Sequence, residues 1–255
     1  MTKIKKDNPL RKLIDSQPKE DFKIIPFLDK YMMLKPNTGV YEVEDLYKPK
    51  DTFYHPSVDC DKCLRQIFYE KKNPIDEEYE PKSMRAFKFG HAIHSMVQAW
   101  IKDMSTLEGF PKSTYGSEVG FCDKVHNVKG SIDDIITFPY APELDVPLEL
   151  KTMNSAMFKE LTSPKATHME QVRIYLDNPK SERMADFAII LYMQKDYPHE
   201  MKEFIVKKTN VDYIYDRWNT VTEALMFDDE KMAPKKYHNC GSGCKYCQYK
   251  KECWK

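Results

Sequence analysis

Glu149 and Lys151 stand two residues apart in Leu148-Glu-Leu-Lys151, a spacing that sends both side chains to one face of a β-strand and turns Leu150 to the other. A carboxylate and an ammonium group then address one site. Asp133 lies on the preceding apolar stretch, in Gly130-Ser-Ile-Asp133. If the two stretches pair as a hairpin, its carboxylate approaches that of Glu149, and two adjacent carboxylates repel unless a cation lies between them. Mg2+ or Mn2+ is the expected cation. Such an ion orients a water, lowers its pKa and neutralises phosphate charge, while Lys151 stabilises the transition state or helps to activate the water. That is the equipment for phosphodiester hydrolysis. An ion pair on an amphipathic edge strand is the plain structural reading of the same Glu-x-Lys.

The elements that position these residues follow from periodicity. Over 83–104, Met84, Phe87, Phe89, Ile93, Val97, Trp100, Ile101 and Met104 fall close to helical spacing, and His94, seven residues from both Phe87 and Ile101, faces inward. Stretches 115–123, 126–138 and 146–153 read as strands. A second helix starts with Ser163 as cap and Pro164 in its first turn, ends before Asn178-Pro179, and places Gln171 and Tyr175 on one face. The run 187–193 reads as a fully buried strand, 203–207 as its neighbour and 211–227 as a third helix. The order αβββαββα describes an α/β body over 57–239, preceded by an irregular lead-in (1–56) broken by Pro26, Pro36 and Pro49, and closed by a cysteine-rich cap (240–255).

At 255 residues the chain can bury a full core, and 41% hydrophobic residues exclude a disordered polymer. No apolar run approaches the roughly 18 residues of a membrane span. The start has no secretory pattern, so a cytoplasmic protein is expected. Lys+Arg and Asp+Glu both number 40, so a polyanion must be met by a local basic patch. Candidates are Arg65, Lys71, Lys72, Lys82, Arg85 and Lys88, with Lys159, Lys165 and Arg173 nearer the carboxylates. Phe68, Tyr69 and Tyr79 either stack on unpaired bases or pack in the core.

Cysteines cluster at the C-terminal end: Cys244, Cys247 and Cys253 form C-x2-C-x5-C, a density of soft ligands that points to a metal or cluster. Tetrahedral Zn2+ is open to two sets, Cys60, Cys63, Cys244 and Cys247, or Cys240, Cys244, Cys247 and Cys253. Cys122 reads as an ordinary buried thiol.

Four motifs in order, Gly90-x3-His94, Gly130-x2-Asp133, Glu149-x-Lys151 and Gln171-x3-Tyr175, resemble the RecB-like branch of the PD-(D/E)XK nucleases, over about 57–254. The resemblance implies a restriction-endonuclease-like core, a mixed central sheet flanked by helices. It implies His94, Asp133 and Glu149 as metal ligands, Lys151 as catalytic lysine, and Gln171 and Tyr175 as residues that position the site or the DNA. Glu118 resembles an extra acidic residue of that group, joining the metal through water, and equally reads as a solvated residue at a strand start. His91 does not match the pattern. His55-Pro-Ser57 and Cys63-Leu-Arg65 resemble the entry motif of CRISPR-associated and AddB-type members, which implies a structural 4Fe-4S cluster on Cys63, Cys244, Cys247 and Cys253. The implied activity is a DNA exonuclease acting on ends or single strands in recombination, repair, replication or CRISPR adaptation, beside a helicase, recombinase or adaptation partner. The alternatives are a non-catalytic DNA-binding or adaptor subunit of such a complex, and a zinc-ribbon protein carrying an unrelated hydrolase.

Overall fold

The structure, a computed structural model, describes residues 22–34, 51–75, 81–197, 199–236, 244–245 and 247–255. Helices α1 (Ile25–Leu34), α2 (Pro56–Asp59), α3 (Leu64–Lys72) and α4 (Pro81–Met104) precede strands β1 (Lys112–Ser113), β2 (Val119–Asp123), β3 (Val128–Ile132), β4 (Asp134–Thr137) and β5 (Asp145–Met153). Then come α5 (Ser155–Glu160), α6 (Ala166–Asp177), β6 (Phe187–Gln194), β7 (Met201–Lys207), α7 (Asp212–Met226) and α8 (Lys250–Cys253). It is a mixed α/β architecture. The five-stranded sheet runs β1-β4-β5-β6-β7, antiparallel except for the parallel β5–β6 pair.

Every residue of β6 is buried, as a strand covered on both faces requires. Alternation splits the core into two layers. Leu148, Leu150, Ile189 and Leu191 point to one side, where Leu28 of α1, Val97 and Ile101 of α4, and Phe22 just before α1 cover them. Met153, Ile190 and Tyr192 point to the other, against Phe68, Val172, Tyr175 and Trp218 from α3, α6 and α7. Glu149 and Lys151 share the register of Ile190 and Tyr192, so they belong to the second side.

The segment expected as one strand, 126–138, is two strands in two sheets. β3 pairs with β2 in a separate hairpin and β4 pairs with β5, so the chain changes sheet at Asp133. Gly130 is matched across the hairpin by Phe121, whose ring packs edge-on against Tyr175 at 5.5 Å. A Cβ at Gly130 would lie 2.9 Å from Phe121 Cε1 and 3.1 Å from Cζ, closer than packed carbons sit. Gly130→Ala is therefore expected to cost about 1–3 kcal/mol through displacement of that ring. Thermal unfolding checks it, and an unchanged Tm would show that the ring moves freely.

Of the lead-in, 22–34 and 51–56 are described, and there short pieces, the ten-residue helix α1 and the start of α2, alternate with coil and bends. α1 carries Pro26 in its first turn, where a missing N–H costs nothing, and the Glu203 carboxylate of β7 accepts the Ile24 and Ile25 N–H groups at 2.7 and 3.4 Å. Tyr54 is 1% exposed, stacks on Trp218 at 5.1 Å and donates its hydroxyl to the Trp218 carbonyl at 2.8 Å. The second helix starts at Ala166 with Lys165 as its N-cap, so Ser163 does not cap it. Cys122 is exposed rather than buried, because in β2 the inward positions are Val119 and Phe121. Among the described residues, no helix is long and apolar enough to cross a membrane.

Candidate active site

Asp133 occupies the point where the chain leaves one sheet for the other, and its Oδ2 accepts the Leu150 N–H of β5 at 2.6 Å. That bond fixes its carboxylate beside Glu149. From α4, His94 Nδ1 reaches to 3.9 Å from Asp133 Oδ1. Lys151 Nζ lies 2.5 Å from Glu149 Oε1, so the two-residue spacing does place both on one face. From α6, Gln171 Nε2 donates to the same Oε1 at 2.7 Å and contacts Tyr175 Oη at 2.5 Å. The structure thus brings His94, Asp133, Glu149, Lys151, Gln171 and Tyr175 together. Side-chain exposures of 26% for His94 and 18% for Lys151, against 4% for Glu149, make the imidazole and the ammonium the groups facing solvent.

Glu118 stands at the rim. Its carboxylate accepts Ser131 Oγ–H at 2.6 Å and Gln98 Nε2–H at 3.2 Å, and its backbone N–H is donated to the Asp133 carbonyl at 3.1 Å. Its φ of 57° lies in the left-handed region, uncommon for a side chain of this kind. Glu118 therefore braces the backbone around Asp133.

Electrostatics separate the roles. Burial, only partly offset by Glu149 and Glu118, pushes His94 down to about 4, so the imidazole is neutral at physiological pH and keeps a lone pair to offer. Burial and the Asp133 charge push Glu149 up to about 7, against the pull of Lys151. Burial works against the Lys151 ammonium, yet Glu149 and Asp133 outweigh it and hold the lysine above its ordinary value. Burial, with the same two carboxylates, raises Tyr175 well above the usual range, leaving it a neutral hydrogen-bonding phenol.

Among the described residues no three His, Cys, Asp or Glu side chains converge as a ready-made ion cage; here the lysine ammonium lies on Glu149 instead. The donor set nevertheless suits Mg2+ or Mn2+: two carboxylates, one neutral imidazole, and a Glu149 Oε2 that is buried with no hydrogen-bond partner.

One further residue escapes the motifs. His168 lies one turn before Gln171 on α6, and that i, i+3, i+7 series with Gln171 and Tyr175 is the signal that could have found it. Tyr192 Oη accepts the Lys165 N–H at 3.1 Å and lies 2.8 Å from His168 Nδ1. With the hydroxyl hydrogen assigned to Nδ1, the neutral ring carries its proton on Nε2. Burial first, then the charges of Lys151 and Lys165, push His168 down to about 3.

No family model matches the chain, and no curated protein matches it in sequence. Solved structures do match. Among them is the crystal structure of SSO0001, 16% identical, with 89% of this chain and 94% of that chain covered and a TM-score of 0.48.

A second cluster of ligand-type residues lies elsewhere. Cys63, Cys244, Cys247 and Cys253 line one cavity of about 30 Å³ with Tyr69, Lys235 and Trp254. The Lys236 N–H points at Cys63 Sγ at 3.2 Å, and Lys235 lies 4.1 Å from the Trp254 ring centre. The four thiols share this cavity wall without converging, among the described residues, into a ready-made metal cage; as soft ligands, with a backbone N–H aimed at one sulfur, they suit iron and zinc alike. Cys60 is 2% exposed and forms no wall of that cavity; burial raises its thiol far above the ordinary range. The zinc set that requires Cys60 is therefore not assembled. Cys240, needed by the other zinc set, falls outside the described residues, as does Tyr79.

Much of the expected basic track serves the fold instead. Arg65 is buried, donates to the Ala233 carbonyl at 2.6 Å and pairs with Glu230 at 3.3 Å. Lys71 donates to the Thr52 and Phe53 carbonyls at 2.9 and 2.8 Å and covers the Tyr54 ring, and Lys72 pairs with Asp228. Phe68 and Tyr69 are 0% and 7% exposed, so neither can stack on a base. Lys82, Arg85, Lys88 and Lys159 are exposed.

Proposed function

We propose that this chain is a divalent-metal-dependent deoxyribonuclease of the PD-(D/E)XK type, RecB-like branch, hydrolysing phosphodiester bonds. One observation carries the reading: Glu149, with a buried carboxylate oxygen left without a partner, sits on the central strand of the sheet among Asp133, His94 and Lys151, the last two partly open to solvent. Asp133, Glu149 and His94 would hold Mg2+ or Mn2+, which when bound would activate a water and neutralise phosphate charge.

The side chains present divide the remaining work. Lys151 offers a permanent positive charge to the phosphate oxygens as negative charge develops on them. Gln171, fixed between Glu149 and Tyr175, holds the Glu149 carboxylate in one rotamer. Tyr175 closes the floor of the site and excludes water from that side. The cysteine cluster is read as a structural 4Fe-4S site tying the C-terminal tail to the region of Cys63.

End-labelled single- and double-stranded DNA incubated with Mn2+, Mg2+ or EDTA tests the reading. Metal-dependent shortening of the label supports it; intact DNA with either ion, from protein that binds the same DNA, would favour a non-catalytic adaptor subunit.

His168 is expected to give its Nε2–H to a phosphate oxygen. His168→Ala should lower kcat about 10-fold, the scale of a hydrogen bond to a charged group, with His168→Gln recovering part of it. The same residue shapes stability. Its folded pKa of about 3 lies below its ordinary 6.5, so the stability it contributes is complete above pH 6.5 and is lost as pH falls toward 3. The Tm of the wild type should accordingly fall more steeply between pH 6.5 and 5 than that of His168→Gln. Parallel slopes would remove His168 from that role.

A further inference from the structure

The three side chains read as metal ligands come from separate supports: His94 from α4, Asp133 from the crossover between β3 and β4, and Glu149 from β5. Asp133 is fixed to β5, because the Leu150 N–H holds its Oδ2 at 2.6 Å. Between His94 Nδ1 and Asp133 Oδ1 the separation is 3.9 Å, too long for a hydrogen bond, so contact between those two atoms does not set it. Val97 and Ile101 press α4 against the sheet, but apolar contact is non-directional and fixes burial more than position along the helix axis.

Gln98 supplies a directional bond. It follows His94 by one turn of α4, about 6 Å along the axis and on the same face. Its Nε2 donates to Glu118 Oε1 at 3.2 Å and to the Asp133 carbonyl at 3.4 Å. A carboxamide nitrogen carries two hydrogens, and here each has an acceptor. The reversed amide would set an oxygen against a carboxylate and a carbonyl, so the partners themselves fix its orientation. Those partners are held in turn. Glu118 accepts Ser131 Oγ–H at 2.6 Å, and the Glu118 N–H is donated to the same Asp133 carbonyl at 3.1 Å. One side chain of α4 thus reaches the backbone that carries Asp133, one turn away from the imidazole.

We infer that Gln98 is a positioning residue that sets the separation of His94 from Asp133, and that through it the site discriminates between divalent ions. The inference rests on the reading of Asp133, Glu149 and His94 as a metal centre. Mg2+ demands near-ideal octahedral geometry with ligands at about 2.0–2.1 Å, whereas Ca2+ accepts flexible arrangements at about 2.3–2.6 Å. Losing a fixed spacing between two ligands therefore costs Mg2+ more than Ca2+. Residues that orient ligands without touching the ion typically contribute roughly 10–100-fold to metal affinity, which is the scale open to Gln98.

Calorimetric titration of Mg2+, and separately of Ca2+, into the whole chain without DNA tests it. Gln98→Met keeps the length of the side chain and removes both donors. It should bind Mg2+ about 10-fold more weakly than wild type and Ca2+ within about 2-fold. Ser131→Ala, which loses only the far tie of Glu118 and leaves α4 untouched, should move the ratio of the two affinities the same way by a smaller factor. That second variant decides the matter if Gln98→Met fails to fold, and an unchanged ratio in it would then overturn the inference. Equal weakening of both ions in Gln98→Met, the mark of a helix loosened as a whole, would also overturn it. Wild type that binds Mg2+ while Gln98→Met binds it equally well removes the inference alone; wild type that binds neither ion removes the metal centre, and the inference with it.

Discussion

Lys151→Ala is expected to slow Mn2+-dependent DNA hydrolysis about 10²–10³-fold, the scale of removing one preorganised charge from a phosphoryl-transfer site. The loss should fall on kcat, because the ammonium matters most when charge has developed on the phosphate. The fold should survive. Removing a partner from a buried ion pair is ordinarily costly because the other charge is stranded, but Glu149 already sits near 7 and can take up a proton when its lysine is gone. Lys151→Arg is a sharper test of geometry: it restores the charge but not the compact point contact 2.5 Å from Glu149 Oε1, and should recover only part of the rate. A Lys151→Ala protein that digests DNA at the wild-type rate would remove the lysine from the chemistry.

Cys63→Ser is expected to have the largest effect on stability. In the clamp reading, Cys63 and Cys244 close a loop of about 180 residues, and opening such a loop costs about 3–5 kcal/mol by the loop-closure estimate. For a chain of this length that lowers Tm by roughly 10 °C. The protein should lose its brown colour and about four irons per chain. The tail should stay partly docked, since Tyr249 is 4% exposed, stacks on Tyr69 at 5.7 Å and donates to the Asn73 carbonyl at 3.0 Å. Cys60→Ser, outside the cavity, should leave the iron content intact. A colourless wild type holding one zinc per chain would replace the cluster with the zinc site.

How much was legible in the sequence depended on whether the cause was local. The face shared by Glu149 and Lys151, the buried run of β6 and the helix carrying His94 follow from periods of two and 3.6, which the chain carries in itself. The break at Asp133 does not, because β3 and β4 separate only through their choice of different partners, β2 and β5. The place of α1 among the short pieces of the lead-in is hidden for the same reason: the carboxylate that accepts the N–H groups at its start belongs to Glu203, 179 residues beyond Ile24. Arg65 and Lys71 look like surface cations in one dimension, yet they are spent on carbonyls brought to them by packing. Cys122 and His168 are different, since alternation in β2 and spacing along α6 held the information. In one dimension the habitual burial of cysteine and the strength of the Gln-x3-Tyr motif outweigh those local signals.

Calorimetric titration of Mn2+ into the wild type and into Glu149→Gln probes the proposed metal centre without requiring a substrate. The substitution keeps the size of the side chain and an acceptor for Gln171, and removes only the negative charge. Saturable binding to wild type, weakened at least 10-fold in Glu149→Gln and likewise in Asp133→Asn, is the expected result. Equal Mn2+ binding by all three proteins, or none by wild type at millimolar ion, would contradict a metal centre on Asp133 and Glu149.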